Sequence, residues 1–178
     1  MNAANTLSAG WVIRRSAGVR AIGILAVSGA LAASAKAQVP IGPVPITAQT
    51  LIALLAGALL GPADGAAGVL VYLAAGTAQP ALFANPQGLA GPTGGYLVGF
   101  AAAAVIGGSL LARGWGRSPT RMLAALLAAD AALFACGLLW LATFPLPVPL
   151  LWAGLWPFLP GEAVKIAIAG VVLTAVRR

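Results

Sequence analysis

The sequence predicts an all-α polytopic membrane protein with six transmembrane helices and both termini in the cytoplasm. Three observations predict it. Of 178 residues, 61% are hydrophobic and only 7% are charged, whereas a soluble domain carries about 25% charged residues. The apolar residues fall in long runs separated by Gly- and Pro-rich breaks. The ten basic residues sit mostly at the ends of those runs, where they act as topology signals. The whole chain, 1–178, reads as one integral membrane domain, with a cytoplasmic tail over 1–17 and a six-helix bundle over 18–178.

The first apolar run extends from Val19 to about Ala35 behind Arg14 and Arg15. Its close in Ala35-Lys36-Ala37-Gln38 also fits a signal-peptide cleavage pattern, but the charge distribution described below favours a retained first helix. Val39-Pro-Ile-Gly-Pro-Val-Pro45 has three prolines in six residues and predicts an extended connection, because proline lacks the helix donor. The second run covers Ile46–Leu60, and Gly61-Pro62-Ala63-Asp64-Gly65 separates it from the third, Ala66–Ala75. Asp64 reads as a solvated turn residue. Thr77–Gly91 is a polar loop. Pro92 is placed to open the fourth helix, which reaches Ala112. The fifth covers Met122–Thr143, and the sixth Gly161–Val176 after a Pro- and Trp-rich segment, Phe144–Pro160.

Runs two and three are short for a span of about 20 residues, so hydropathy alone could merge them. Charge separates the two readings. With six spans, Arg14, Arg15, Arg20, Arg113, Arg117, Arg121, Arg177 and Arg178 lie inside and Lys36 and Lys165 outside, 8 against 2. Merging the runs inverts everything downstream and leaves 4 inside against 6 outside. The positive-inside rule selects six spans. The irregular segments Gln38–Gln49, Thr77–Gly91 and Phe144–Pro160 then all emerge on the outer side. An elaborated outer face suits capture of something from outside.

Chemistry is sparse. There is no histidine, and the acids are Asp64, Asp130 and Glu162. No catalytic pair or metal set can be assembled. Gly91-Pro-Thr-Gly-Gly95 lacks the ending of a phosphate-binding loop, so the chain is not an enzyme and any energy comes from elsewhere. The net charge of +7 is dispersed and not interleaved with aromatics, which argues against nucleic acid. Cys136 is the lone cysteine and forms no intrachain disulfide.

Glu162 and Lys165 share one helical face at i and i+3. Ionisable groups at membrane depth are costly and commonly line a cavity or ligand site; a mutual ion pair capping the helix is the simpler account. Asp130 fits a hydrogen-bonded packing residue. Gln49, Gln79, Asn85, Gln87 and Tyr96 flank the outer loops, and their amides and hydroxyl suit a neutral, heteroatom-rich ligand. Trp140, Trp152 and Trp156 fit an interfacial belt better than a stacking platform. Small residues recur at spacing four in run one: Ala17 and Ala21, then Ala26, Ala30 and Ser34. Such stripes let helices approach closely.

Four blocks carry a resemblance. Val44-Pro-Ile-Thr-Ala-Gln-Thr50, Leu54-Leu-Ala-Gly-Ala-Leu-Leu-Gly-Pro62, Leu89-Ala-Gly-Pro-Thr-Gly-Gly-Tyr-Leu-Val-Gly-Phe100 and Pro160-Gly-Glu-Ala-Val-Lys165 occur in that order. Together they resemble the BioY family, the biotin-specific substrate-capture (S) components of energy-coupling-factor (ECF) transporters. The chain carries Glu162 where that family more often has Asp, and Phe83-Ala-Asn-Pro-Gln-Gly88 where Gly-rich sequence is common. The resemblance implies a six-helix bundle in the cytoplasmic (inner) membrane and a biotin site near the outer face, under a loop between helices one and two. Substrate-binding residues are then expected among Glu162, Lys165, Asn85, Gln49, Gln79 and Tyr96. Implied partners are a transmembrane coupling subunit, docked on the stripe of Ala17, Ala21, Ala26 and Ala30, and cytoplasmic ATPase subunits. No cofactor or metal is expected, biotin being the ligand, and a homo-oligomer of the chain when alone is left open. The competing reading is a structural or assembly subunit of a membrane complex with no ligand of its own.

Overall fold

The computed structural model describes residues 16–176; the tail before Ser16 and the basic pairs Arg14/Arg15 and Arg177/Arg178 lie outside the described residues. The helices are α1 (Ala17–Ser34), α2 (Gln49–Leu60), α3 (Pro62–Ala78), α4 (Gly94–Ala112), α5 (Pro119–Leu141), the short α6 (Leu150–Gly154) and α7 (Leu159–Ala175). Three of them, α1, α4 and α5, are long and apolar enough to cross a membrane, and α2 is a shorter apolar helix. α3 and α7 have 17 residues each, or about 25 Å of helix.

Each boundary has a local cause. The proline connection after α1 folds back as a two-residue antiparallel ribbon, β1 (Gln38–Val39) against β2 (Ile46–Thr47), which removes Ile46–Ala48 from the expected second helix. α2 stops at Leu60 because Gly61 takes φ 91° and ψ 168°, a backbone region open essentially to glycine. Pro62 then starts α3 at its first position, where the missing donor costs nothing. The turn between α2 and α3 is therefore at Gly61, not at Asp64. Asp64 lies in the first turn of α3 and is not simply solvated. Its side chain is 13% exposed, and Arg20 of α1 grips it with Nη2 to Oδ1 at 2.6 Å and Nε to Oδ2 at 2.9 Å. Pro92 stays in a turn closed by Gly94 N–H to Gly91 O at 3.0 Å, so α4 begins at Gly94. Inside the irregular Phe144–Pro160 segment, Pro149 precedes α6.

α4 is the central helix and packs on α5, α2 and α3; α1 lies on α3, and α7 on α2 and α5. Glycines allow two of these approaches. A Cβ on Gly57 of α2 would collide with the Ala104 backbone of α4, and one on Gly68 of α3 would lie 2.7 Å from the Val27 side chain of α1. The core between the helices is apolar, with Leu31, Leu54, Val69, Tyr72, Leu126, Leu133, Leu141 and Leu173 fully buried. The outside is apolar too: Ile22, Leu25, Leu70, Leu139, Val164 and Val171 are all exposed, which a water-facing bundle would not sustain.

The contacts sort the bundle into two ends. At one, Arg20 meets Asp64, Gly108 of α4 approaches Pro62, and Arg113 and Arg117 follow α4. At the other, Lys36 Nζ donates to Ala81 O, Trp140 Nε1 to Gly91 O at 2.9 Å, and Tyr96 Oη to Gly154 O at 2.7 Å. The three irregular segments thus share one end, as the charge count requires.

Candidate functional site

A cavity opens into the bundle at the irregular end. Six elements build its walls. Val44, Pro45 and Thr47 come from the ribbon connection, Gln49 and Thr50 from the start of α2, and Phe83, Ala84 and Asn85 from the loop after α3. Thr93, Tyr96, Leu97 and Phe100 come from the turn before α4 and its first turns, and Leu133 and Phe134 from α5. Phe158, Glu162 and Lys165 come from α7 and the residue before it.

The polar side centres on Glu162, which is 2% exposed. It lies in the first turn of α7, where the helix dipole favours a carboxylate. Its Oε1 accepts from Lys165 Nζ at 2.7 Å and from Thr50 Oγ1 at 3.3 Å. Its Oε2 is buried with no hydrogen-bond partner. Such an oxygen is an acceptor still open to a donor. Asp130 on α5, which packs against α7, is buried within side-chain hydrogen-bonding reach of Glu162, and its Oδ1 is also unpartnered.

The apolar side is aromatic. Tyr96 stacks near-parallel on Phe158 with centroids 6.3 Å apart, while Phe134 stands edge-on to both at 5.9 Å. These rings form a wall facing the carboxylate, suited to the apolar faces of a small fused ring. The cavity volume is about 40 Å³, far below the ~300–1,000 Å³ of typical small-molecule sites. Admitting a ligand therefore requires the wall to move. The non-helical wall segments, Val44–Thr47 and Phe83–Asn85, are the parts that can do so without breaking a long helix.

Five of the expected binding residues line the cavity. Glu162 and Lys165 pair at the cavity, Asn85 lines it, and Tyr96 presents its ring. The Asn85 Oδ1 accepts from Gln87 N–H at 3.0 Å, so the amide N–H groups are not used in that bond. The Tyr96 hydroxyl is spent on Gly154. Gln49 lines the cavity but is a strut: its Nε2 donates to Leu31 O at 3.2 Å and Tyr72 Oη at 2.8 Å. Tyr72 in turn donates to Leu82 O at 3.4 Å, so this chain ties α1, α2 and α3 to the loop. Gln79 and Gln87 are exposed and not part of the lining. Trp140, Trp152 and Trp156 are exposed as well, consistent with a belt and not a stacking platform.

Sequence reasoning missed Thr50 and the phenylalanines. A signal existed in the spacing: Phe158 is four residues before Glu162, and Phe134 four after Asp130. Residues at i and i+4 share a helix face, so each buried acid of the bundle carries an aromatic neighbour beside it.

The expected docking stripe divides. Ala17, Ala21 and Ala26 are exposed and Ala30 is half-buried. Ala17 and Ala26 are nine residues apart, which places them about 180° apart around the helix. Ala17/Ala21 and Ala26/Ala30 therefore flank the α3-facing side from opposite edges and cannot form one continuous stripe.

Comparison with known proteins follows this geometry. The BioY family model matches residues 6–178. A probable biotin transporter BioY of Pyrococcus horikoshii is 35% identical over 142 residues, covering 78% of this chain and 83% of that protein. A biotin transporter BioY of Rhizobium etli is 36% identical over 146 residues, covering 75% and 78%, and one of Rhodobacter capsulatus is 37% identical over 152 residues, covering 75% and 80%. A crystal structure of the S-component for biotin from an ECF-type ABC transporter superposes with a TM-score of 0.76 over 92% of this chain and 94% of that one. Its identity is 23%, so it speaks to the fold. With the family model matching nearly its whole length, this chain belongs to the BioY family, whose matched relatives are named as transporters and not as enzymes.

Proposed function

We propose that the chain is the biotin-binding S-component of an ECF transporter, taking up biotin across the cytoplasmic membrane. The observation that carries this is the buried Glu162 carboxylate, with one oxygen unpartnered, facing an aromatic wall in a cavity under two loops. Biotin's ureido group offers two N–H donors and one acceptor, its bicycle is apolar, and its tail ends in a carboxylate. Glu162 accepts from the ureido N–H groups, Asn85 donates to the ureido oxygen, and Tyr96, Phe134 and Phe158 hold the bicycle. The 2.7 Å contact between Lys165 and Glu162 favours a lysine that orients the carboxylate over one that reaches away to the tail.

In this reading the chain spans the membrane six times with both termini cytoplasmic and the cavity end outward. Partner ATPase subunits supply the energy through a transmembrane coupling subunit. Ala26 and Ala30 form the docking edge of α1. Equilibrium binding of labelled biotin to the purified protein in detergent tests the proposal. Saturable, stoichiometric binding competed by unlabelled biotin is expected. Absence of binding overturns it in favour of a structural subunit without a ligand.

A further inference from the structure

The biotin reading leaves one buried group without a task. Asp130 sits in the middle of α5, 8% exposed, with Oδ1 unpartnered. It faces Glu162 and Lys165 of α7. The neighbouring polar groups are Thr50 of α2, which donates to Glu162, and Tyr96 of α4, whose hydroxyl is turned to Gly154. The cluster thus holds two carboxyl groups and one ammonium. Two buried carboxylates side by side repel, and neither can donate to the other while both are ionised. Yet each has a buried oxygen without a partner, Asp130 Oδ1 and Glu162 Oε2. One proton between them resolves both problems. It leaves one negative charge for one positive, and it supplies the missing donor.

Resting on the biotin reading, we propose that Asp130 is a positioning residue that holds this proton and shares it with Glu162, so that Asp130, Glu162 and Lys165 together form a site of zero net charge. The 2.7 Å ion pair assigns the negative charge to Glu162 and the donor role to Asp130. Oε1 of Glu162 is occupied by Lys165 and Thr50. A bond from Asp130 to Oε2 fixes the carboxylate plane and leaves a lone pair there for the ligand. Zero net charge also matters for affinity. Biotin arrives as an anion, and a site with net charge −1 in a low-dielectric interior would repel it.

Infrared difference spectroscopy on the full-length purified protein without biotin tests the proton directly. At neutral pH, wild type minus D130N is expected to show the stretching band of a protonated carboxyl. E162Q is expected to lose the same band, because Asp130 then becomes the counter-ion of Lys165 and ionises. A solely structural Asp130 would not respond to Glu162 in this way. In parallel, D130A is expected to weaken biotin binding about tenfold, with D130N, which keeps a neutral donor, recovering most of it. No protonated-carboxyl band in the wild type, or a band that survives D130N, overturns the proposal. A band with the expected pattern in a protein that binds no biotin overturns the ligand reading and leaves the shared proton standing.

Discussion

Glu162 combines three properties that seldom coincide at membrane depth: near-complete burial, an ion pair, and an oxygen with no partner. Burying a carboxylate is tolerable only with compensation, and Lys165 and Thr50 give Oε1 that compensation. The cost of Oε2 is recovered when a donor reaches it. E162Q turns that acceptor into an amide and removes the carboxylate that pairs with Lys165. Its expected loss in biotin affinity is about 10- to 150-fold, the range for a charge-assisted contact of about 1.5–3 kcal/mol, read by equilibrium binding; unchanged affinity would remove Glu162 from the site. Lys165 is separable from it by a double comparison. If the lysine orients Glu162, the losses from K165M and from replacing biotin by its uncharged amide add. If it reads the tail carboxylate, they do not. The pair at i and i+3 was legible in the sequence because ionisable residues stand out in an apolar run. Thr50 was not, since one hydroxyl near a helix start carries no mark of its partner 112 residues away.

At the scale of elements, the apolar runs reveal α1, α4, α5 and α7 to within a few residues, because a spanning helix must stay apolar along its length. The misplaced starts are where backbone rules compete. Ile46–Ala48 read as helix by hydropathy, but pairing of Ile46 with Val39 and of Thr47 with Gln38 claims the strands first. Pro62 and Asp64 read as loop, but proline at the first position and an acid in the first turn are helix-starting features. The aromatic wall was hidden because Phe134 and Phe158 look like any membrane phenylalanine until the crossing of α4, α5 and α7 brings them onto Tyr96. Angular bookkeeping also sharpens the docking edge. Ala26→Trp is expected to block co-purification with a coupling subunit, since a bulky ring prevents backbones from approaching, while biotin binding by the isolated chain survives. Ala17→Trp, on the opposite edge, is expected to leave the complex intact. A reversed pattern would move the docking surface to the Ala17/Ala21 edge.

For the molecule as a whole, sidedness joins the charge count to the cavity. The Arg20–Asp64 bridge, the Gly108–Pro62 contact and the arginines after α4 share one end. The cavity and the Lys36–Ala81 and Trp140–Gly91 bonds occupy the other. In the proposed topology the positive-inside rule keeps the basic end inside and sends the cavity outward, toward the vitamin. The lone thiol makes this measurable. In a Cys136→Ala background, single cysteines at Gln79 and at Trp152 replace exposed side chains on two different irregular segments. An impermeant maleimide should label both in intact cells, with access through the outer membrane ensured where one is present. A cysteine at Arg117, on the connection between α4 and α5, should react only after lysis. The three sites are coupled by the fold, so they cannot vary independently: an even number of crossings separates Gln79 from Trp152, and an odd number separates each of them from Arg117. Insertion of the whole bundle the other way up would invert all three together, with Gln79 and Trp152 protected and Arg117 labelled. That outcome would place the cavity at the cytoplasmic face and would sink the capture mechanism along with the proposed orientation.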